Sequence, residues 1–288
     1  MSRAILAEFR KLFSTRLWWV LALCAAGYLA LIALGMGAVV AYGDAASEAL
    51  DSGMGMGMPL PSGADAARMV YSMAGTVAYV FPLMAGAMSV TQEYRHKTIT
   101  ATFLAEPRRP VVLSAKLIAS VPMGMAYGLI CLAATVLPAA LILGLAHMDT
   151  GLGEAKTWIF LARALLDFSL WAVVGVGLGV LVRNQVAAIV VALVITQFLE
   201  PTLRMLPSMS SSLDARWTTF LPGAAGDAIQ GQSFYDLMQE MDLMQEMMEE
   251  LTNAPPPLPF GWAVLVLIGW GALFAGIGYF TNFRRDVS

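Results

Sequence analysis

Residues 17–42 read LWWVLALCAAGYLALIALGMGAVVAY: 26 consecutive positions without an Asp, Glu, Lys or Arg. A helix needs roughly 20 apolar residues to cross the hydrocarbon core of a bilayer, so this stretch alone is long enough to span one. Two further stretches, Met69–Thr91 and Leu117–Met148, are equally free of charge. Across all 288 residues 58% are hydrophobic and only 13% charged, with a mean hydropathy of +0.70. Soluble domains carry about 25% charged residues. The composition therefore excludes a soluble enzyme, a nucleic-acid binder and a disordered chain. Cys24 and Cys131 both lie in apolar runs, which leaves no disulfide framework or thiolate metal site.

Six spans follow from this criterion: 17–42, 69–91, 117–146, 158–182, 185–203 and 261–281. The third carries Pro122 and Pro138, but no polar turn divides it, so it reads as one kinked helix. Glycines such as Gly175, Gly177 and Gly179 point to close helix packing. Twelve of the 17 Lys and Arg residues fall on one side of this topology, among them Arg10, Lys11, Arg95, Lys97, Arg108, Arg109, Lys116 and Arg183. The positive-inside rule then places both termini in the cytoplasm of a multi-pass protein of the cell membrane. The 26-residue run exceeds the 7–15 residues of a signal-peptide core, so it is expected to remain as a span.

Residues 1–16 precede the first span. Ile5, Leu6, Phe9, Leu12 and Phe13 share one helical face there, opposite Arg3, Arg10, Lys11 and Ser14, which describes a basic amphipathic helix on the inner leaflet. Residues 43–68 form an outer Gly- and Met-rich loop, and 204–260 an outer acidic one. Within the latter, a helix over 233–252 would place Phe234, Leu237, Met238, Met241, Met244 and Met248 on one face, with Asp242, Glu246, Glu249 and Glu250 opposite. Its acids would be repelled by anionic lipid, so its apolar face is expected to close on the protein as an outer lid. Thioethers suit Cu(I), but with no His or Cys nearby the methionines read as apolar filling and no metal site is expected.

No phosphate-binding loop is present: Lys11, Lys97, Lys116 and Lys156 all follow residues other than glycine. His96 and His147 fall on opposite sides of the membrane, and the few inner acids (Glu8, Glu93, Glu106 and Asp286) read as solvated, so no catalytic set assembles. Three ionisable residues fall within the spans. Arg163 and Asp167 lie one turn apart in the fourth, and Glu200 at similar depth in the fifth. Mutual neutralisation is the structural reading; a proton relay or a substrate carboxylate site is the functional one.

Between spans two and three, residues 92–110 read QEYRHKTITATFLAEPRRP, and Lys116 follows. This resembles the first cytoplasmic loop of ABC-2-type permeases, the membrane subunits of bacterial ABC exporters. In that family an E-Y/x-R-x-x-T-hydrophobic run leads to a P-x-R segment and a lysine opening the third span. Lys97 stands where many relatives have glycine. The resemblance in outline covers the whole chain; its sequence-specific part is 92–116. Thr98 is placed to cap a short helix, Ile99–Ala105, that Pro107 would stop. The resemblance implies a coupling helix seated on a separate ATPase subunit, with Glu93, Tyr94, Arg95, Thr98, Ile99, Ala101, Phe103, Leu104, Pro107, Arg108 and Arg109 at the contact. Charge alone fits a basic anchor on anionic lipid equally well.

By the same resemblance the chain would be one of two permease copies or paralogues working with two ATPase subunits, which hold ATP and Mg; the chain itself would carry no cofactor and catalyse nothing. Apolar walls suit a hydrophobic or amphiphilic cargo such as a drug, lipid or peptide. Phe81, Met84 and Met88, with Thr196, Gln197 and Phe198, are the expected path residues by family architecture. An ion-coupled secondary transporter and a non-transporting membrane sensor or immunity protein are the competing classes. The former would need a midplane site and repeated halves.

Overall fold

A computed structural model describes residues 2–49, 63–206, 215–231 and 256–283. These are mostly α-helical, with short π and 3₁₀ turns, short connecting loops and no strand among the described residues. Among the described residues six helical stretches are long and apolar enough to cross a membrane: Arg16–Gly43, Ala64–Arg95, Arg109–Leu145, Ala155–Leu181, Gln185–Arg204 and Phe260–Asn282. This is the architecture of a multi-pass membrane protein.

The chain begins with α1 (Ser2–Ser14), and α2 (Arg16–Ala49) forms the first span. The second span is α3 (Ala64–Ala78) followed by α4 (Val80–Arg95). The break falls at Tyr79 because Pro82 has no N–H to give to the Ala78 carbonyl four residues back. A short helix, α5 (Ile99–Ala105), precedes the third span, α6 (Arg109–Leu145). Despite Pro122 and Pro138, α6 is continuous, and at 1.5 Å per residue it runs roughly 55 Å, so it projects beyond a bilayer core. The fourth span is α7 (Ala155–Leu181). The fifth combines α8 (Gln185–Val194), a π-helical turn (Ile195–Leu199) and α9 (Glu200–Met205). Pro201 sits just after the π turn, where its missing N–H loosens the helical ladder.

Two elements stand in the stretch expected to be loop and lid. A 3₁₀ turn (Ala215–Phe220) leads into α10 (Pro222–Gln230), which ends at Gly231 with φ 73°. The sixth span is α11 (Phe260–Gly278), continued by a π turn (Tyr279–Phe283). The lid residues Phe234, Leu237, Met238, Met241, Met244 and Met248 lie outside the described residues. Helix also extends into the expected outer loop 43–68, up to Ala49 and from Ala64.

The centre of the bundle is α7. Its most apolar stretch is 72% buried, against 69% for the second span and 22% for the first, fifth and sixth. The peripheral spans therefore turn much of their apolar surface outward. Glycine sets the spacing at the centre. A Cβ on Gly177 of α7 would come within 2.6 Å of the Gly271 carbonyl on α11, and one on Gly124 of α6 within 2.6 Å of Ser169 Cα on α7. Any larger residue at either position would force the backbones apart. Tyr79, at the break in the second span, stacks on Trp171 of α7 with ring centroids 4.4 Å apart. Its hydroxyl donates to the Thr196 carbonyl in the π turn. One end of the bundle carries α1 and α5, the other α10.

Candidate functional site

At the α5 end, four charged side chains from three separate helices meet. Lys116 Nζ, on α6, donates to Glu8 Oε2 of α1 at 2.7 Å and to Glu93 Oε1 of α4 at 2.8 Å. Lys11 Nζ, on α1, donates to the remaining Glu8 oxygen at 2.8 Å, to Glu93 Oε1 at 2.9 Å and to Thr102 Oγ1 of α5 at 3.2 Å. Glu8, Glu93 and Lys116 are all buried. Burial of a charge is costly unless it is paired, and here each ammonium serves both carboxylates. The expectation that Glu8 and Glu93 are solvated is corrected by this geometry: α1 folds against α6, and the pairs that join α1 to α4 and α6 lie 82 and 108 residues apart in the chain.

Burial favours the protonated form of Glu8, but Lys116 and Lys11 together outweigh it and hold the carboxyl below its ordinary value. Burial likewise favours neutral Lys11, and Glu8 and Glu93 outweigh it and hold the ammonium above its ordinary value. The face that α1 turns to the protein thus carries an acid at its centre, while Leu6 and Phe9 are exposed.

The loop that leads into α5 has an unusual turn. Lys97 has φ 56°, the left-handed region that favours glycine. Its N–H bonds the Tyr94 carbonyl, and the Thr98 N–H bonds the Glu93 carbonyl, the pair of contacts that ends a helix in a Schellman turn. Thr98 does not cap α5 through its side chain, as the sequence suggested; its hydroxyl reaches back to the Glu93 carbonyl instead. The turn leaves that hydroxyl on the α4 side of the loop.

Within α5, Ile99 and Phe103 lie four residues apart and so share a face, which packs with Val90, Val112, Val176 and Val180. Arg109 stacks over the Phe103 ring at 5.2 Å. Of the residues expected at a docking contact, Glu93, Ile99 and Phe103 therefore face the bundle instead. Ala101 and Ala105 are exposed, and Leu104 is 81% exposed. Arg95 donates to Gln185 at the start of the fifth span, and Arg183 lies 5.8 Å from the Tyr94 ring. Arg108 and Pro107 are exposed, with Arg108 paired to Glu106, whose carboxyl it holds below the ordinary value.

A cavity of about 350 Å³ opens beside this network, between α1, the start of α2, the end of α4 and α6. Met88 lines it; Phe81, Met84, Thr196, Gln197 and Phe198 do not. The six residues expected to form one path are not gathered on a common cavity. Thr196 is buried, whereas Phe198 is 70% exposed on the surface of the fifth span.

The opposite end holds a second polar cluster, and its pairing differs from expectation. Asp167, fully buried, accepts a hydrogen bond from Gln230 Nε2 of α10 at 2.8 Å. Arg163 does not pair with it; its guanidinium lies 5.1 Å from the Phe260 ring. Glu200 accepts from Arg204 at 2.8 Å and from the Ala224 N–H at 3.0 Å, and Arg204 reaches Asp227 at 2.6 Å. The physical reason is α10, which folds back over the bundle and supplies Gln230, Asp227 and a backbone donor. One turn of helix brought Arg163 and Asp167 together in the sequence, but Gln230 is the nearer polar partner.

No family model matches the chain, and no curated protein matches it.

Proposed function

We propose that the chain is the permease subunit of an ATP-driven exporter of the ABC-2 type, moving a hydrophobic or amphiphilic substrate out of the cell. The observation that carries this reading is α5, a two-turn helix tied to the bundle by Ile99 and Phe103 that presents Leu104 and Ala101 outward. An apolar, small-residue tip exposed in a basic loop is suited to a protein cleft. Thr102 of the same helix touches Lys11, so α5 is mechanically joined to α1, α4 and α6. The resemblance of residues 92–116 to the ABC-2 cytoplasmic loop supports the same reading. In it, the α5 end and both termini are cytoplasmic and α1 rests against the inner leaflet. Two permease chains act with two ATPase subunits, which bind ATP and Mg. The test is copurification from membranes followed by ATPase assay: the complex should hydrolyse ATP and the isolated chain should not.

A second reading has one observation in its favour. Asp167 is fully buried on the central helix, and its Oδ1 has no hydrogen-bond partner among the described residues. Intramembrane carboxylates commonly mark ion pathways. An ion-coupled secondary transporter would move substrate in liposomes under a proton or sodium gradient with no ATPase present.

A further inference from the structure

The cavity at the α5 end has a built asymmetry. Leu17, Leu21, Met88 and Met123 give it an apolar wall, with Trp18 and Tyr127 closing that side. Gln92, Glu93, His96 and Thr98 line its polar end. Its volume lies at the low end of the ~300–1,000 Å³ usual for small-molecule sites. Glu93 carries the second observation. The residue is more than nine-tenths buried, both lysines act on its Oε1, and its Oε2 has no partner among the described residues. A buried carboxylate oxygen without a donor is costly, so a molecule entering here gains by supplying one. The two acids and two lysines of the network cancel in formal charge, so the occupant need bring no net charge.

We infer that this cavity binds one hydrocarbon chain of an amphiphile, laid along Leu21, Met88 and Met123, with a hydrogen-bond-donating head of no net charge against Glu93. Such a head is offered equally by an ethanolamine phospholipid reaching in from the leaflet and by a free amphiphile carrying a primary ammonium beside a phosphate. Glu8, Glu93 and Lys11 all line the cavity, so an anionic head without a donor would meet two carboxylates beside one ammonium and gain nothing at the unpartnered Glu93 Oε2. The inference does not depend on the exporter reading, since binding requires neither ATPase nor transport.

Two probes separate donor chemistry from charge: dodecylphosphoethanolamine and dodecylphosphocholine share chain, phosphate and zwitterion, and only the first has N–H donors. Titrated into the purified full chain in amphipol, the ethanolamine compound should bind about tenfold or more tightly, the scale of one hydrogen bond to a charged group. Ser89, half-buried on the cavity wall and outside the ion network, allows the space to be filled. Ser89→Trp should abolish binding of both probes, and Ser89→Met should weaken it, with melting temperatures near that of the unchanged protein. Native mass spectrometry of chain extracted from cell membranes distinguishes the sources. A retained ethanolamine phospholipid assigns the head to the leaflet, whereas a lipid-free chain that binds the added probe assigns it to a free amphiphile. Equal affinity for the two probes in the unchanged protein would overturn the inference, as would binding that survives in a folded Ser89→Trp variant.

Discussion

Lys116 and Glu8 stand 108 residues apart in the chain, yet Nζ and Oε2 are 2.7 Å apart and both residues are buried. This contact joins the first helix to the third span. Lys116→Met removes the only ammonium that lies fully inside the network and leaves Glu8 and Glu93 sharing Lys11 alone. Breaking a buried pair in this way costs about 3–5 kcal/mol. The expected result is a large fall in melting temperature in detergent, with α1 becoming protease-sensitive. Lys116→Met with Glu8→Gln should recover part of the loss, because one unpaired charge has been removed.

The same network predicts a pH window. Glu8 has a lowered carboxyl pKa in the folded chain, so its stabilisation is present above its ordinary value of 4.5 and is lost as pH falls through the folded value. Lys11 has a raised pKa, so its contribution is complete below its ordinary value of 10.5 and is lost as pH rises through the folded value. Hydrogen exchange of α1 should accordingly be slowest relative to the rest of the bundle between these limits. In Glu8→Gln the acid limb should disappear while the alkaline limb remains through Glu93.

At the other end, the pairing that matters is Asp167 with Gln230. Gln230→Leu keeps the volume and removes the donor to the fully buried Oδ2, at a cost of about 3 kcal/mol. Among the described residues Arg163→Gln removes a ring contact with Phe260, worth about 0.5–1 kcal/mol. Thermal melts of the two variants should differ in that order. A reversed order would restore the ion pair that helical spacing suggested.

These two clusters mark the limit of what was legible in the residues. Spans were legible because a run of 20 or more predominantly apolar positions has one physical explanation, and the helical stretches 16–43, 155–181 and 260–282 lie within a few residues of the expected ones. The short helix 99–105 was expected from Thr98 as its cap and Pro107 as its stop; the helix is there, but Thr98 makes no side-chain cap. Gln230, Asp227 and the helix Pro222–Gln230 were not, because PGAAGDAIQ carries neither an apolar run nor a clear periodicity, and its position is set by contacts made after the spans assemble. Glu8 was read as one charge among solvated neighbours; only the fold brings Lys116 to it. Long-range polar partners leave no local signal.

Lys97 gives a test of turn chemistry. A side chain at φ 56° costs about 1–2 kcal/mol relative to the right-handed region, and glycine avoids that at some cost in chain entropy. Lys97→Gly should therefore raise stability by about 0.5–1 kcal/mol, while Lys97→Val should lower it. Urea or thermal titration of both variants measures the difference directly, and a destabilised glycine variant would mean that the Lys97 side chain makes a contact worth more than the backbone strain.

The last prediction concerns α5 and separates a docking helix from a lipid anchor. Ile99 is 2% exposed and Leu104 is 81% exposed, so one seven-residue helix presents two apolar side chains to opposite surroundings. Ile99→Ala should cost about 2–5 kcal/mol of stability, because it empties a packed site among Val90, Val112 and Val180. Leu104→Asp touches nothing inside the bundle, so stability should stay within about 0.5 kcal/mol of the unchanged chain. If Leu104 enters a cleft on an ATPase subunit, the aspartate would bury an unpaired charge there, and copurification of the ATPase should be lost. Ala101→Trp acts by size: in a close-packed protein contact the added bulk costs about 1–3 kcal/mol, whereas at a membrane surface indole is well tolerated. Loss of ATPase with both variants, at unchanged insertion and melting temperature, is the expected outcome. Full ATPase association in both would remove α5 as the contact and leave the basic loop as a lipid anchor.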